Sequence, residues 1–177
     1  MDPHPSVARA RELLDVVGDD ELRRMLEYWL SIHPGRCLPS RRDFDPAAVP
    51  HLLGRMALTD VEYDPIRFRV RVMGTGLTAA FGRDLTGRYL HEAIPEFEAS
   101  YTCAHRVEVA MTGLPGHCAE IPAVPFRIDF AASERLYLPF SSDGAGVDMM
   151  LTMTTFLADR ATLSPFAGRS GPPPAVS

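Results

Sequence analysis

The chain has 177 residues, a formal net charge of −5, and 46% hydrophobic against 23% charged residues, which suits one globular domain with a real core. All 18 basic residues are arginine, and lysine, asparagine and glutamine do not occur. Without lysine there is no Walker A phosphate loop, no Schiff-base or pyridoxal chemistry and no kinase-type lysine.

The first elements are helical. Residues 6–33 read as helix in two pieces, with Gly18 as the stop and Asp19 or Asp20 as the N-cap of the second. Leu22, Met25, Leu26, Trp29 and Leu30 then fall at i, i+3, i+4, i+7 and i+8, one apolar stripe on a helix. Pro34-Gly35 ends that helix. Residues 35–54, with Pro39, Pro46 and Pro50, form an extended connector holding one short helical turn at 46–53.

After residue 55 the apolar period changes to two. Ala57–Tyr63 and Arg67–Met73 read as paired strands turned by Asp64-Pro65. In the second, Arg67, Arg69 and Arg71 point outward and Phe68, Val70 and Val72 inward. Short helical turns occupy Gly74–Gly87, and a longer helix spans Pro95 to Thr112 and stops at Gly113. Three strands follow at roughly 117–124, 126–141 and 147–157, with Ala131-Ala132-Ser133 as a point of interruption in the second and Asp143-Gly144 turning into the last. The order predicts an α+β chain: a five-stranded antiparallel sheet with helices packed on one face. The segment after Ser164, with Pro172-Pro173-Pro174, has too little apolar content to order itself.

Several function classes find no support. Residues 1–88 hold 13 Arg against 13 acids and residues 89–177 hold 5 against 10, so no basic stripe for nucleic acid exists. No apolar run approaches the ~20 residues of a membrane span. The start Met1-Asp2-Pro3-His4 has neither a basic nor an apolar leader region, and Cys37, Cys103 and Cys118 are irregularly spaced. A cytoplasmic protein with reduced thiols is expected. Gly74-Thr75-Gly76-Leu77-Thr78-Ala79 matches G-x-G-x-x-A after a strand, yet Gly82 and Gly87 cut the helix that a dinucleotide would need. The preceding strand also alternates Arg with apolar residues, unlike a strand buried on both faces. His91, Cys103, His105, His117 and Cys118 cannot converge on zinc: Cys103 and His105 diverge on a helix, and His117 and Cys118 face opposite sides of a strand. Ser141-Ser142-Asp143-Gly144 reads as hairpin-turn chemistry, and Glu96 and Glu98 flank a helix start. No catalytic residues are assigned and no enzyme is expected.

The element order and four segments carry a resemblance. Phe68–Gly87 (FRVRVMGTGLTAAFGRDLTG) is similar to the second strand and following turns of the PAS fold, and its FGRDLTG end looks like a common PAS signature. Tyr28-Trp29, Pro39–Pro46 and Leu138–Gly144 (LPFSSDG) add a likeness to a family of small PAS-like proteins found mainly in alphaproteobacteria, over about residues 22–158. The resemblance implies a sensory or interaction module without catalytic residues. On it the chain divides into an N-terminal helical extension (1–34), a connector (35–56), a PAS-like domain (57–158) and a disordered tail (159–177).

A PAS pocket here would be lined by Val70, Val72, Leu77, Phe81, Tyr101 and His105, although a filled core would serve equally. PAS proteins can ligate haem through a helical His, for which His91 and His105 lie in the right stretch; a lone His is more simply a surface or hydrogen-bonded residue. The Cys-containing stretch of flavin-binding light sensors is replaced by Arg88-Tyr89-Leu90-His91, and no amide side chain exists to read a flavin. No cofactor and no metal are expected. The stripe Leu22, Met25, Leu26, Trp29 and Leu30 must be covered by the outer sheet face, a second copy or another protein. The long connector favours a neighbour, so the stripe is read as the interface of a homodimer or a signalling partner. The expected function is a PAS-type sensory or regulatory module, with a small apolar or amphipathic ligand possible in its pocket. A small-molecule-binding protein or minor enzyme using that pocket is the alternative.

Overall fold

Each of the first two helices begins on a side chain that satisfies its free N–H groups. The computed structural model describes residues 2–120 and 132–157. In α1 (Pro5–Leu14) the His4 ring accepts from the Ser6 amide, and Pro5 occupies the first turn, where no amide donor is needed. In α2 (Asp20–Ser31) the Asp19 carboxylate accepts from the amides of Glu21 and Leu22, at 2.8 and 3.1 Å. The connector carries short 3-10 turns at Arg41–Asp43, Pro46–Ala48 and Pro50–Arg55, more local structure than the single turn expected.

Five strands follow among the described residues: β1 (Met56–Glu62), β2 (Arg67–Met73), β3 (Gly116–Glu120), β4 (Ala132–Phe140) and β5 (Met149–Leu157). All neighbours pair antiparallel, in the order β2-β1-β5-β4-β3. Between β2 and β3 lie α3 (Thr75–Phe81), α4 (Leu90–Ala93) and α5 (Tyr101–Thr112). The long helix therefore starts at Tyr101 and not at Pro95, because the Ser100 hydroxyl accepts from the Cys103 amide there. The expected interruption at Ala131-Ala132 and the tail 159–177 fall outside the described residues or at their very edge.

The alternation of β2 breaks at one point. Leu58 pairs with Val72 but Thr59 pairs with Val70, so Arg71 is an extra residue in the ladder. Beyond this bulge Met73 turns inward, and Val72 is 45% exposed. The inward orientation expected for Val72 is corrected accordingly.

The sheet is covered on both faces. On one lie α3, α4 and α5; on the other, α2 packs across β4 and β5. Leu22, Met25, Leu26 and Trp29 are buried there and Leu30 is half-buried. The Trp29 indole, 1% exposed, donates to the Pro139 carbonyl at 3.2 Å. Tyr28 meets Phe44 edge-on at 5.6 Å, and Phe44 meets Phe140 at 6.2 Å, joining helix, connector and sheet. The stripe is thus core of its own chain, which corrects its reading as an interface. The connector is long enough to carry α2 back over the sheet, where the apolar outer side of β4 and β5 would otherwise meet water.

The G-x-G-x-x-A segment has a packing explanation. A Cβ on Gly74 would lie 2.3 Å from the Leu53 carbonyl oxygen and 2.5 Å from that of Gly54; one on Gly76 would lie 2.9 Å from the Gly54 oxygen. These glycines let the start of α3 rest on the 3-10 turn at Pro50–Arg55.

Candidate ligand cavity

A cavity of about 70 Å³ lies between the inner face of the sheet and the helices α3 to α5. Its wall is apolar on the side of α3 and α4: Leu77 and Phe81 from α3, Leu90 from α4, and Leu85, Ile94 and Phe97 from the turns around them. Val70, Met73 and Phe156 continue that wall on the sheet. The other side is polar, with the hydroxyls of Thr59, Thr102, Thr152 and Thr154 and two guanidinium groups, Arg106 and Arg135.

Both arginines are buried, at 5% and 6% exposure. Arg106 reaches from α5 to β1, where its Nη1 donates to the Thr59 hydroxyl at 3.3 Å and approaches the Met150 sulfur at 3.9 Å. Its guanidinium lies 5.8 Å from the Phe68 ring centre and 5.5 Å from that of Tyr137, distances at which ring faces attract a cation. Among the described residues its Nε has no hydrogen-bond partner, and neither has the Thr152 hydroxyl. Burial pushes the Arg106 pKa down to about 10, with the charge of Arg135 contributing, so the group still carries its charge at neutral pH. Arg135 Nη1 donates to Thr102 at 3.1 Å.

Three of the six residues expected in the pocket are in it: Val70, Leu77 and Phe81. Val72 faces outward beyond the bulge. Tyr101 is 74% exposed at the first turn of α5, and His105 stacks on Tyr137 at 5.9 Å instead of lining the cavity. Packing on the sheet turns α5 so that Arg106, Val109 and Ala110 are buried and Thr102 lines the cavity. Reading the sequence missed both arginines. An arginine on an amphipathic helix is ordinarily assigned to solvent, and only the phase of α5 turns this one inward. Arg135 carries a weak signal: it shares strand parity with Tyr137, opposite to Leu136 and Leu138.

His91 is half-buried beside Tyr89 and Glu92, so neither of the two candidate haem histidines lines the cavity. Among the described residues, no group of three or more His, Cys, Asp or Glu could hold a metal ion. His117 bonds Glu134 at 2.7 Å on the outer side of the sheet, while Cys118 lies by Tyr137 on the inner side. Ser141 and Asp143 serve the turn, where the Ser141 hydroxyl accepts from the Gly144 amide and the Asp143 carboxylate from the Ala145 amide. The bond from the Ala145 amide, with one from the Ser141 hydroxyl, holds the Asp143 carboxyl below its usual range. Among the described residues, no helix is long and apolar enough to cross a membrane.

The matching family model, described as a PAS domain, covers residues 18–155. The chain belongs to the PAS-domain family, and its five-stranded antiparallel sheet with flanking helices is the PAS-like fold that the sequence implied. The match takes in α2 as well as the sheet. No curated protein matches the sequence significantly. Solved structures similar to the chain include a light-oxygen-voltage domain studied with a flavin analogue, at 11% identity and TM-score 0.48, covering 68% of this chain and 88% of that one. A sensory box sensor histidine kinase from Vibrio cholerae is similar at 16% identity and TM-score 0.46, covering 64% of this chain and 92% of that one.

Proposed function

We propose that this chain is a PAS sensory module whose input is occupancy of the cavity by a small ligand and whose output is contact with another protein. The observation that carries this reading is the buried cation Arg106 at the edge of a cavity whose opposite wall is apolar. Pockets for small ligands combine such walls with a few convergent polar groups. The module performs no catalysis and acts in the cytoplasm; the three free thiols agree with a reducing compartment. Its ligand is neither flavin nor haem. A cavity of about 70 Å³ is smaller than the ~150 Å³ that accommodates benzene, and no histidine lines it. The partner surface lies outside the α2 stripe, which the sheet already occupies.

Native mass spectrometry with an absorbance scan, followed by a thermal-shift screen of small charged and neutral metabolites, tests this. The expected protein is colourless and is stabilised by at least one small compound. A Soret band lost in His91→Ala or His105→Ala, or a bound flavin spectrum, would overturn the cofactor statement. A screen in which no compound raises the melting temperature would overturn ligand sensing itself.

A further inference from the structure

We infer that the cavity takes a short-chain monocarboxylate, its carboxylate held by Arg106 and Thr152 and its hydrocarbon part against Leu77, Phe81 and Ile94. This deepens the sensory reading above and rests on it.

Charge is the first argument. Arg106 is buried, and among the described residues no carboxylate contacts it; its neighbours there are a hydroxyl, a thioether and two aromatic faces. A cation out of water is costly unless an anion accompanies it. Hydrogen bonding is the second. Among the described residues Arg106 Nε–H is a donor without an acceptor, the Thr152 hydroxyl is also unpaired, and both residues line the cavity. A carboxylate has two oxygens in one plane, which suits a guanidinium fork together with one hydroxyl. The wall on the side of α3 and α4 is apolar. Leu77, Phe81 and Ile94 offer nothing to a further polar group but do cover an alkyl chain. Inorganic phosphate fits less well, since it has more acceptor oxygens and no apolar part. Size then limits the chain, because about 70 Å³ leaves room for only a few carbon atoms.

Calorimetric titration of the full chain with acetate, butyrate and hexanoate, with the matching amides and with inorganic phosphate, reads this out. We expect one carboxylate to saturate at one per chain and its amide to bind at least about tenfold more weakly. Arg106→Met should lower carboxylate affinity by at least about tenfold and leave the amide unchanged. This variant replaces a buried charge with an apolar chain of similar length, and Thr59 keeps its bond to the Met150 carbonyl. Should it fail to fold, Arg106→Lys keeps the charge but loses the planar fork, and a clear loss of affinity is expected there too. Thr152→Val should weaken carboxylate binding to a lesser degree. Amides that bind as tightly as the acids, phosphate that competes as well as butyrate, or unchanged affinity in the Arg106 variants would overturn the inference while leaving ligand sensing intact. If no acid and no amide binds, the inference falls; sensing falls with it only when the wider metabolite screen is also blank.

Discussion

His33 closes α2 inside a chain of hydrogen bonds that a neutral imidazole completes. Its Nδ1 accepts from the Gly35 amide at 2.9 Å, so the ring proton sits on Nε2 and is directed to the Ser6 hydroxyl, also at 2.9 Å. Ser6 in turn bonds His4 Nδ1 at 2.7 Å. Burial, with the nearby His4 charge, pulls the His33 pKa down to about 4 from 6.5. Between those values the unfolded chain binds a proton that the folded chain refuses, so stability is complete above pH 6.5 and falls as the pH drops toward 4. The slope is at most about 1.4 kcal/mol per pH unit, reduced by the partial exposure of the ring. Urea unfolding of wild type and His33→Asn at pH 7.5 and 5 measures it: the wild type should lose more stability than the variant. Equal losses would remove His33 as the cause. Glu134 titrates in a separate window. Burial pushes its carboxyl up, but bonds from His117 and Gly18 outweigh this and leave it lowered. Its contribution is present above the ordinary carboxylate pKa of 4.5 and fades only below it.

At the scale of elements, the turn between β2 and α3 depends on contact without side chains. Any Cβ at Gly74 would strike two backbone oxygens, and backbone cannot swing aside as a flexible side chain can. Gly74→Ala should therefore destabilise the protein by about 1–3 kcal/mol or more, from steric overlap. A melting temperature within a degree of wild type would mean that the turn at Pro50–Arg55 simply shifts. The bulge at Arg71 is the other element-scale device. It lets Arg71 form a two-pronged pair with Asp60, at 2.8 and 3.1 Å, while Met73 is delivered to the cavity. That pair is largely exposed and contributes little to stability by itself.

For the whole molecule, the decisive feature is one sheet with two covered faces. Strands β4 and β5 turn Arg135, Thr152 and Thr154 to the cavity, and Leu136, Leu138 and Met153 to the side of α2. Trp29 ties α2 to the sheet through its bond to the β4 backbone. Trp29→Ala should cost about 3–5 kcal/mol, a large share of the ~5–15 kcal/mol that stabilises a domain. The native mass in light scattering should stay unchanged, because the stripe is internal to the chain. A variant that stays fully stable but has half the wild-type mass would instead restore the stripe as a subunit interface.

Local patterns determined much of this protein. Asp19 is a cap because its short side chain reaches the next amides, Gly82 and Gly113 end helices in the left-handed conformation, and RFRVRV reads as a strand from its alternation alone. Those features depend on neighbours within a few residues, so they are legible in the letters and they imply the PAS order. The covering of the stripe was half-legible. The runs Leu136–Phe140 and Met149–Thr155 contain no charge on either parity, a sign that both faces of those strands are buried. Tertiary structure alone decided the site. The bulge that shifts β2 by one residue is set by its pairing with β1, and the rotation of α5 by its packing on the sheet. An error of one residue exchanges inside for outside on a strand, and about 100° on a helix exchanges Tyr101 or His105 for Thr102 or Arg106. Burial of a charge depends on that phase, and phase is a property of contacts between residues far apart in the chain.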